Sequence, residues 1–194
     1  MSNERDILEV MQRLYYRGLN MSQSGNASIK LDDSTIAITP ASIDKPSLKE
    51  DGISYLKLPS GELNEGPRQS SEYLMHVKIY NSADDITAIV HAHPPYLLAL
   101  ADSIGVEKLR LSEDQEGSIY VGSIGLVDGK TGTLALAEEV AKELSERNAT
   151  AVVMKGHGVT SISLGTEDIY DALNRIEVIE NLAMRRVIAY MLGK

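Results

Sequence analysis

Two of the chain's four histidines, His91 and His93, stand one residue apart at the end of the apolar, β-prone run Ala88-Ile89-Val90. Side chains alternate faces along a strand, so both rings project from one side, near enough to share an ion. His157 follows another apolar run and lies between Gly156 and Gly158, where backbone can turn sharply and come close to a ligand. Alone, the pair could be two histidines on a wet sheet face, and His157 a turn residue bonded to a carbonyl. Together they offer three imidazoles, the number of protein ligands a catalytic zinc takes while keeping one position open. The chain has no cysteine, so zinc here must rest on nitrogen and oxygen.

Glu72 begins a helical stretch, where the helix dipole stabilises a carboxylate. Beside a metal the same group could serve as a general base. Ser70 and Ser71 could cap that helix, or place hydroxyls and N–H groups around a phosphate at its N-terminus. His76, one turn on, reads as a packing or surface residue. The turn Ser24-Gly25-Asn26 supplies small residues and an amide suited to a phosphate cradle.

These residues need elements to hold them. Spacing predicts an amphipathic helix over 3–19 behind an Asn3 cap. Two short strands, 29–31 and 35–39, follow a polar segment over 20–28 and are joined at Asp32-Asp33. A single capped helical turn is expected at 47–51, a strand at 53–58 and a serine-capped helix at 72–80, followed directly by the histidine strand. A short helix over 96–101, an irregular stretch through Tyr120, a helix over 134–147 and a buried strand over 151–155 come next. A long helix capped by Thr166 closes the chain. The order of elements predicts α/β, one domain over 1–194, with one sheet sandwiched between helix layers and antiparallel as well as parallel pairs.

Length and 43% hydrophobic content suit one core, which must be aliphatic because Phe and Trp are absent. A net charge of −9 argues against nucleic acid and anionic membrane as partners. No apolar run approaches a membrane span and the N-terminus lacks a signal-peptide pattern, so the chain reads as cytoplasmic.

Five ordered motifs resemble the class II, zinc-dependent sugar-phosphate aldolase and adducin-head family, over about 6–189. They are Gly18-Leu19-Asn20 with Ser24-Gly25-Asn26-Ala27-Ser28, then Ile38-Thr39-Pro40, Ser70-Ser71-Glu72, His91-Ala92-His93-Pro94 and Gly156-His157-Gly158. The resemblance implies one zinc ion per subunit on His91, His93 and His157, Glu72 as acid/base, and substrate phosphate held by Asn26, Ser42, Ser70 and Ser71. It further implies a three-layer α/β/α sandwich around a largely antiparallel mixed sheet, and a homotetramer acting on a small phosphorylated sugar, most like L-fuculose 1-phosphate, cleaved to dihydroxyacetone phosphate and L-lactaldehyde. A 4-epimerase, a methylthioribulose-1-phosphate dehydratase and a non-catalytic adducin-like module are the alternatives. Three departures stand out. Ala41-Ser42 replaces the family's Ser-Gly or Thr-Gly, the tyrosine that a neighbouring subunit donates has only Tyr120 as a substitute, and the ending at Lys194 is expected to omit a closing tail.

Overall fold

The computed structural model describes residues 3–193. Its centre is an eight-stranded sheet in the order β4-β3-β2-β1-β5-β8-β7-β6. The strands are β1 (Asn26–Asp32), β2 (Thr35–Ile38), β3 (Ser54–Lys57), β4 (Leu63–Glu65), β5 (Ile86–Ala92), β6 (Ile124–Val127), β7 (Ala151–Met154) and β8 (Gly158–Leu164). Only β6 with β7 runs parallel; the other neighbours are antiparallel. Helices α1 (Glu4–Tyr16), α3 (Pro95–Ser103) and α5 (Ile169–Met191) cover one face, while α2 (Tyr73–Tyr80) and α4 (Leu134–Glu146) cover the other. The expected three-layer sandwich is therefore what the chain forms.

The two-residue period of the strands sorts the core. Ala27 and Ile29 of β1 and Ala88, Val90 and Ala92 of β5 face α1, α3 and α5. Their neighbours Asn26 and Ser28 on β1, and Ile89 and His91 on β5, accordingly face α2. Asn26 pairs across the ladder with His91, and His91 with Thr160 of β8, so three adjacent strands align polar side chains under one helix.

Several boundaries differ from expectation. β1 begins at Asn26, not at Ile29, because the polar segment's last residues pair with β5. β4, β6 and β8 are additional strands. The turn expected over 47–51 is two 3₁₀ turns, Lys45–Ser47 and Glu50–Gly52, neither with a side-chain cap. The cap of α5 is Asp168, whose carboxylate accepts from Tyr170 N and forms a reciprocal box with Asp171; Thr166 does not cap it. Asn3 caps α1 in the same reciprocal way, as its sequence signature indicated. Among the described residues no helix is long and apolar enough to cross a membrane.

Candidate metal centre

β5 delivers His91 as its penultimate residue, and His93 follows directly behind it. Leu19 O and Asn20 Oδ1 both accept the His93 backbone N–H at 3.0 Å, which pins this end of the strand. Gly25 makes room for that clamp: a Cβ there would lie 2.1 Å from the Asn20 amide nitrogen, and its φ of +70° is the left-handed region glycine tolerates.

His157 arrives on the loop between β7 and β8. Gly156 turns at φ +61°, and Gly158 allows close approach, since a Cβ on it would meet Ala92 O at 2.4 Å and the His93 and His91 rings at 2.7 and 2.8 Å. The flanking glycines thus have separate reasons, a turn before the histidine and packing behind it.

Glu72 is the N-cap residue of α2 but makes no capping bond; its carboxylate turns into the sheet instead. Ser70 Oγ accepts the Glu72 backbone N–H at 3.3 Å. Glu72 Oε2 lies 3.1 Å from His91 Nε2 and Oε1 lies 3.0 Å from His157 Nε2. His93 Nε2 is 3.0 Å from His91 Nε2. One ligand atom from each of these four residues lies within 4.8 Å of the rest.

The donor set fits a divalent cation. His91 Nδ1 faces the Val159 carbonyl at 3.0 Å, which turns Nε2 into the cluster. Burial, then the His91 and His157 rings, push His93 down to about 3, which leaves its imidazole neutral. Two ring nitrogens 3.0 Å apart share either a proton or a cation between them. A tetrahedral ion with bonds of about 2.0–2.1 Å would hold its ligands roughly 3.3 Å apart, close to the spacing found. Burial would raise the Glu72 carboxyl, but the His91 and His157 rings outweigh it and hold the group well below the usual carboxylate range.

Of the residues expected to hold phosphate, Asn26 opens β1 and the other three lie on loops strapped to one another. Ser70 N donates to Thr39 O and Ala41 N to Arg68 O, with Pro40 bridged to Gln69, so the loops carrying Ser42 and Ser70-Ser71 run side by side. Ser42 adopts φ +53°, the backbone state for which the expected glycine is suited, so the exchange keeps the turn at the cost of strain. Ser42 and Ser71 are exposed, whereas Ser70 is buried. Asn26 is buried too, and its Nδ2 donates to Glu72 Oε2 at 2.9 Å. Tyr120 stands half exposed in a π-type turn, Gly117–Val121, packed on α5, and is outside the cluster of four.

Sequence reasoning undervalued three residues. His76 is fully buried and bonded to Asn26, not at the surface. Asn20, which anchors His93, had only its place in a motif to mark it. Lys45 is buried, donates from Nζ to Pro40 O at 2.9 Å, and is pushed by burial to about 8. An Asp-Lys-Pro loop gives no hint that its lysine turns inward.

Four similarities bear on this geometry. The family model described as Class II Aldolase and Adducin N-terminal domain matches residues 5–187. The L-fuculose phosphate aldolase of Methanocaldococcus jannaschii is 32% identical over 193 residues, 99% of each chain. The methylthioribulose-1-phosphate dehydratase of Gluconacetobacter diazotrophicus is 30% identical, covering 92% of this chain and 89% of that one. A solved L-fuculose 1-phosphate aldolase superposes with a TM-score of 0.81 at 26% identity, over 100% of this chain and 90% of its own.

Proposed function

The chain belongs to the class II aldolase and adducin N-terminal domain family, as an enzyme of the aldolase type, and on that premise we propose that it is a zinc-dependent aldolase. It reversibly cleaves a phosphorylated ketose resembling L-fuculose 1-phosphate into dihydroxyacetone phosphate and a short aldehyde such as L-lactaldehyde. The carrying observation is the convergence of His91, His93, His157 and Glu72 within 4.8 Å.

His91, His93 and His157 would hold zinc, which would supply positive charge to stabilise the negative charge that develops on the reacting ketone. The chain's own residues do the rest. Glu72, as an ionised carboxylate next to that centre, delivers or removes the proton at the carbon that keeps the electron pair when the carbon–carbon bond breaks. Asn26, Ser42, Ser70 and Ser71 take the substrate phosphate, supported by the antiparallel strapping of their loops. Ser70 both steadies Glu72 through its backbone and faces the phosphate, which ties grip to base. A homotetramer accords with the exposed apolar residues Ile188, Tyr190, Met191 and Leu192 at the end of α5.

The similarity to a dehydratase at 30% identity makes water loss from methylthioribulose 1-phosphate the second reading. One assay separates them. Purified protein given L-fuculose 1-phosphate should release dihydroxyacetone phosphate, lose this activity with chelator and regain it with zinc. Consumption of methylthioribulose 1-phosphate without any release of dihydroxyacetone phosphate from the ketose would overturn the aldolase reading. Glu72→Gln should keep its metal yet slow proton exchange on dihydroxyacetone phosphate by about 10²–10⁴-fold, the range for loss of a general base.

A further inference from the structure

A line of buried polar groups leads from Glu72 into the protein, away from any substrate. Asn26 Nδ2 donates to Glu72 Oε2 at 2.9 Å, and Asn26 Oδ1 lies 2.5 Å from His76 Nε2. His76 Nδ1 lies 2.6 Å from Ser28 Oγ, which is 2.9 Å from the Tyr80 hydroxyl. Asn26, Ser28, His76 and Tyr80 are all buried, with His76 and Ser28 fully so.

The spacing that assembles this line is elementary. Asn26 and Ser28 share a strand face two residues apart, roughly 6.6 Å. His76 and Tyr80 share a helix face four residues apart, about 6 Å along the axis. Two strand residues and one helical turn therefore match, and each strand side chain meets a helix side chain.

The charge on Glu72 dictates where every proton sits. An ionised carboxylate only accepts, so Asn26 must present its NH₂ to it and its carbonyl to His76. That carbonyl needs a donor, which places the His76 proton on Nε2. Nδ1 then carries a lone pair and needs the Ser28 O–H. Ser28, having spent its only proton, accepts from Tyr80. Each buried group is satisfied in this one direction. The reverse tautomer of His76 would turn the Asn26 amide over and set its oxygen against the Glu72 carboxylate.

We propose that His76 is a positioning residue: its Nε2–H tautomer, fixed by Ser28, locks the Asn26 amide and through it holds the Glu72 carboxylate in its working orientation. The role rests on Glu72 being the acid/base of the proposed reaction. Burial, then the His91 ring, push His76 down to about 3, so it stays neutral as the relay requires. The second Nδ2 hydrogen of Asn26 remains for a substrate oxygen, so one amide serves base and phosphate together.

The test uses the full-length, zinc-loaded protein. His76→Gln keeps a donor near the Nε2 position, whereas His76→Asn keeps a partner for Ser28 but withdraws the donor from Asn26. With His76→Asn, kcat for proton exchange on dihydroxyacetone phosphate should fall at least about tenfold, the scale of lost outer-shell partners, with zinc content unchanged. His76→Gln should recover most of it, which a purely space-filling role would not produce. Nitrogen-15 NMR should show the neutral Nε2–H tautomer from about pH 5 to pH 9, a range over which a free imidazole would titrate. Ser28→Ala should mix the tautomers and slow exchange in parallel. An Nδ1–H tautomer in the native protein would overturn the proposal, as would wild-type or equally reduced exchange in both His76 variants. If the native protein exchanges no proton on dihydroxyacetone phosphate, the aldolase reading fails alone, and the tautomer with its response to Ser28→Ala still decides how Asn26 is held.

Discussion

The seam beneath α2 and the outer flank around α5 are built on opposite terms. In the seam, Asn26, Ser28, Glu72, His76, His91 and Thr160 are polar, buried and bonded to one another. On the flank, Ile119, Tyr120, Ile188, Tyr190, Met191 and Leu192 are apolar and exposed, Met191 at 79%. Polar groups inside need fixed partners, because an unsatisfied buried group costs about 1–3 kcal/mol. Apolar groups outside cost nothing comparable but gain by being covered. One chain thus gathers the four candidate metal ligands by itself, while the flank is the apolar surface on which the proposed tetramer would pack.

The strongest way to break the seam without touching a polar atom is Gly158→Ala. Its Cβ would press on Ala92 O and on both strand histidine rings. Overpacking of this kind costs about 1–3 kcal/mol. Displaced ligands should also weaken metal affinity about 10–100-fold. Competition against a fluorescent chelator reads the affinity, and unchanged affinity would separate Gly158 from the histidines it supports.

Acid should loosen the seam before the flank. His76 is held near 3 against 6.5 for an unperturbed histidine. As pH falls through about 6.5 the unfolded chain takes up a proton that the folded chain refuses until about 3. Stability therefore declines with falling pH across that window. His76→Gln removes the group and should flatten the slope of melting temperature against pH; an unaltered slope would place the acid sensitivity elsewhere.

The smallest effect on a single chain belongs to the flank. Tyr190→Ser with Met191→Ser should change the stability of a monomer by no more than about 0.5 kcal/mol, as exposed substitutions do. The same pair should shift sedimentation from tetramer toward monomer. A tetramer that withstands both substitutions would show that this end of α5 lies outside the interface.

How legible all this was in the sequence follows the same division. The histidine pair, the glycine-flanked His157 and Glu72 were readable because strand period and glycine chemistry are local. The three-layer fold was readable from the order of elements. β8 was missed because Thr160, Ser161 and Ser163 break its apolar pattern, and their partners, Met75, Thr150 and Asp168, lie on other elements. The start of β1 was missed for the same reason, since Asn26 and Ser28 look like loop residues until α2 supplies their bonds. His76 could be assigned only a packing or surface role, because nothing in a helical repeat shows that a ring nitrogen meets an asparagine fifty residues away. Local periodicity reports burial; it does not report which buried polar groups answer one another.

The central claim is that His91, His93 and His157, with Glu72 beside them, bind a divalent ion. Elemental analysis of protein purified without chelator, alongside His93→Ala, addresses it most directly. The expected result is one zinc ion per native chain and none in His93→Ala, whose circular dichroism remains that of a folded protein. A native chain free of stoichiometric divalent metal, or a His93→Ala variant that retains it, would contradict the assignment.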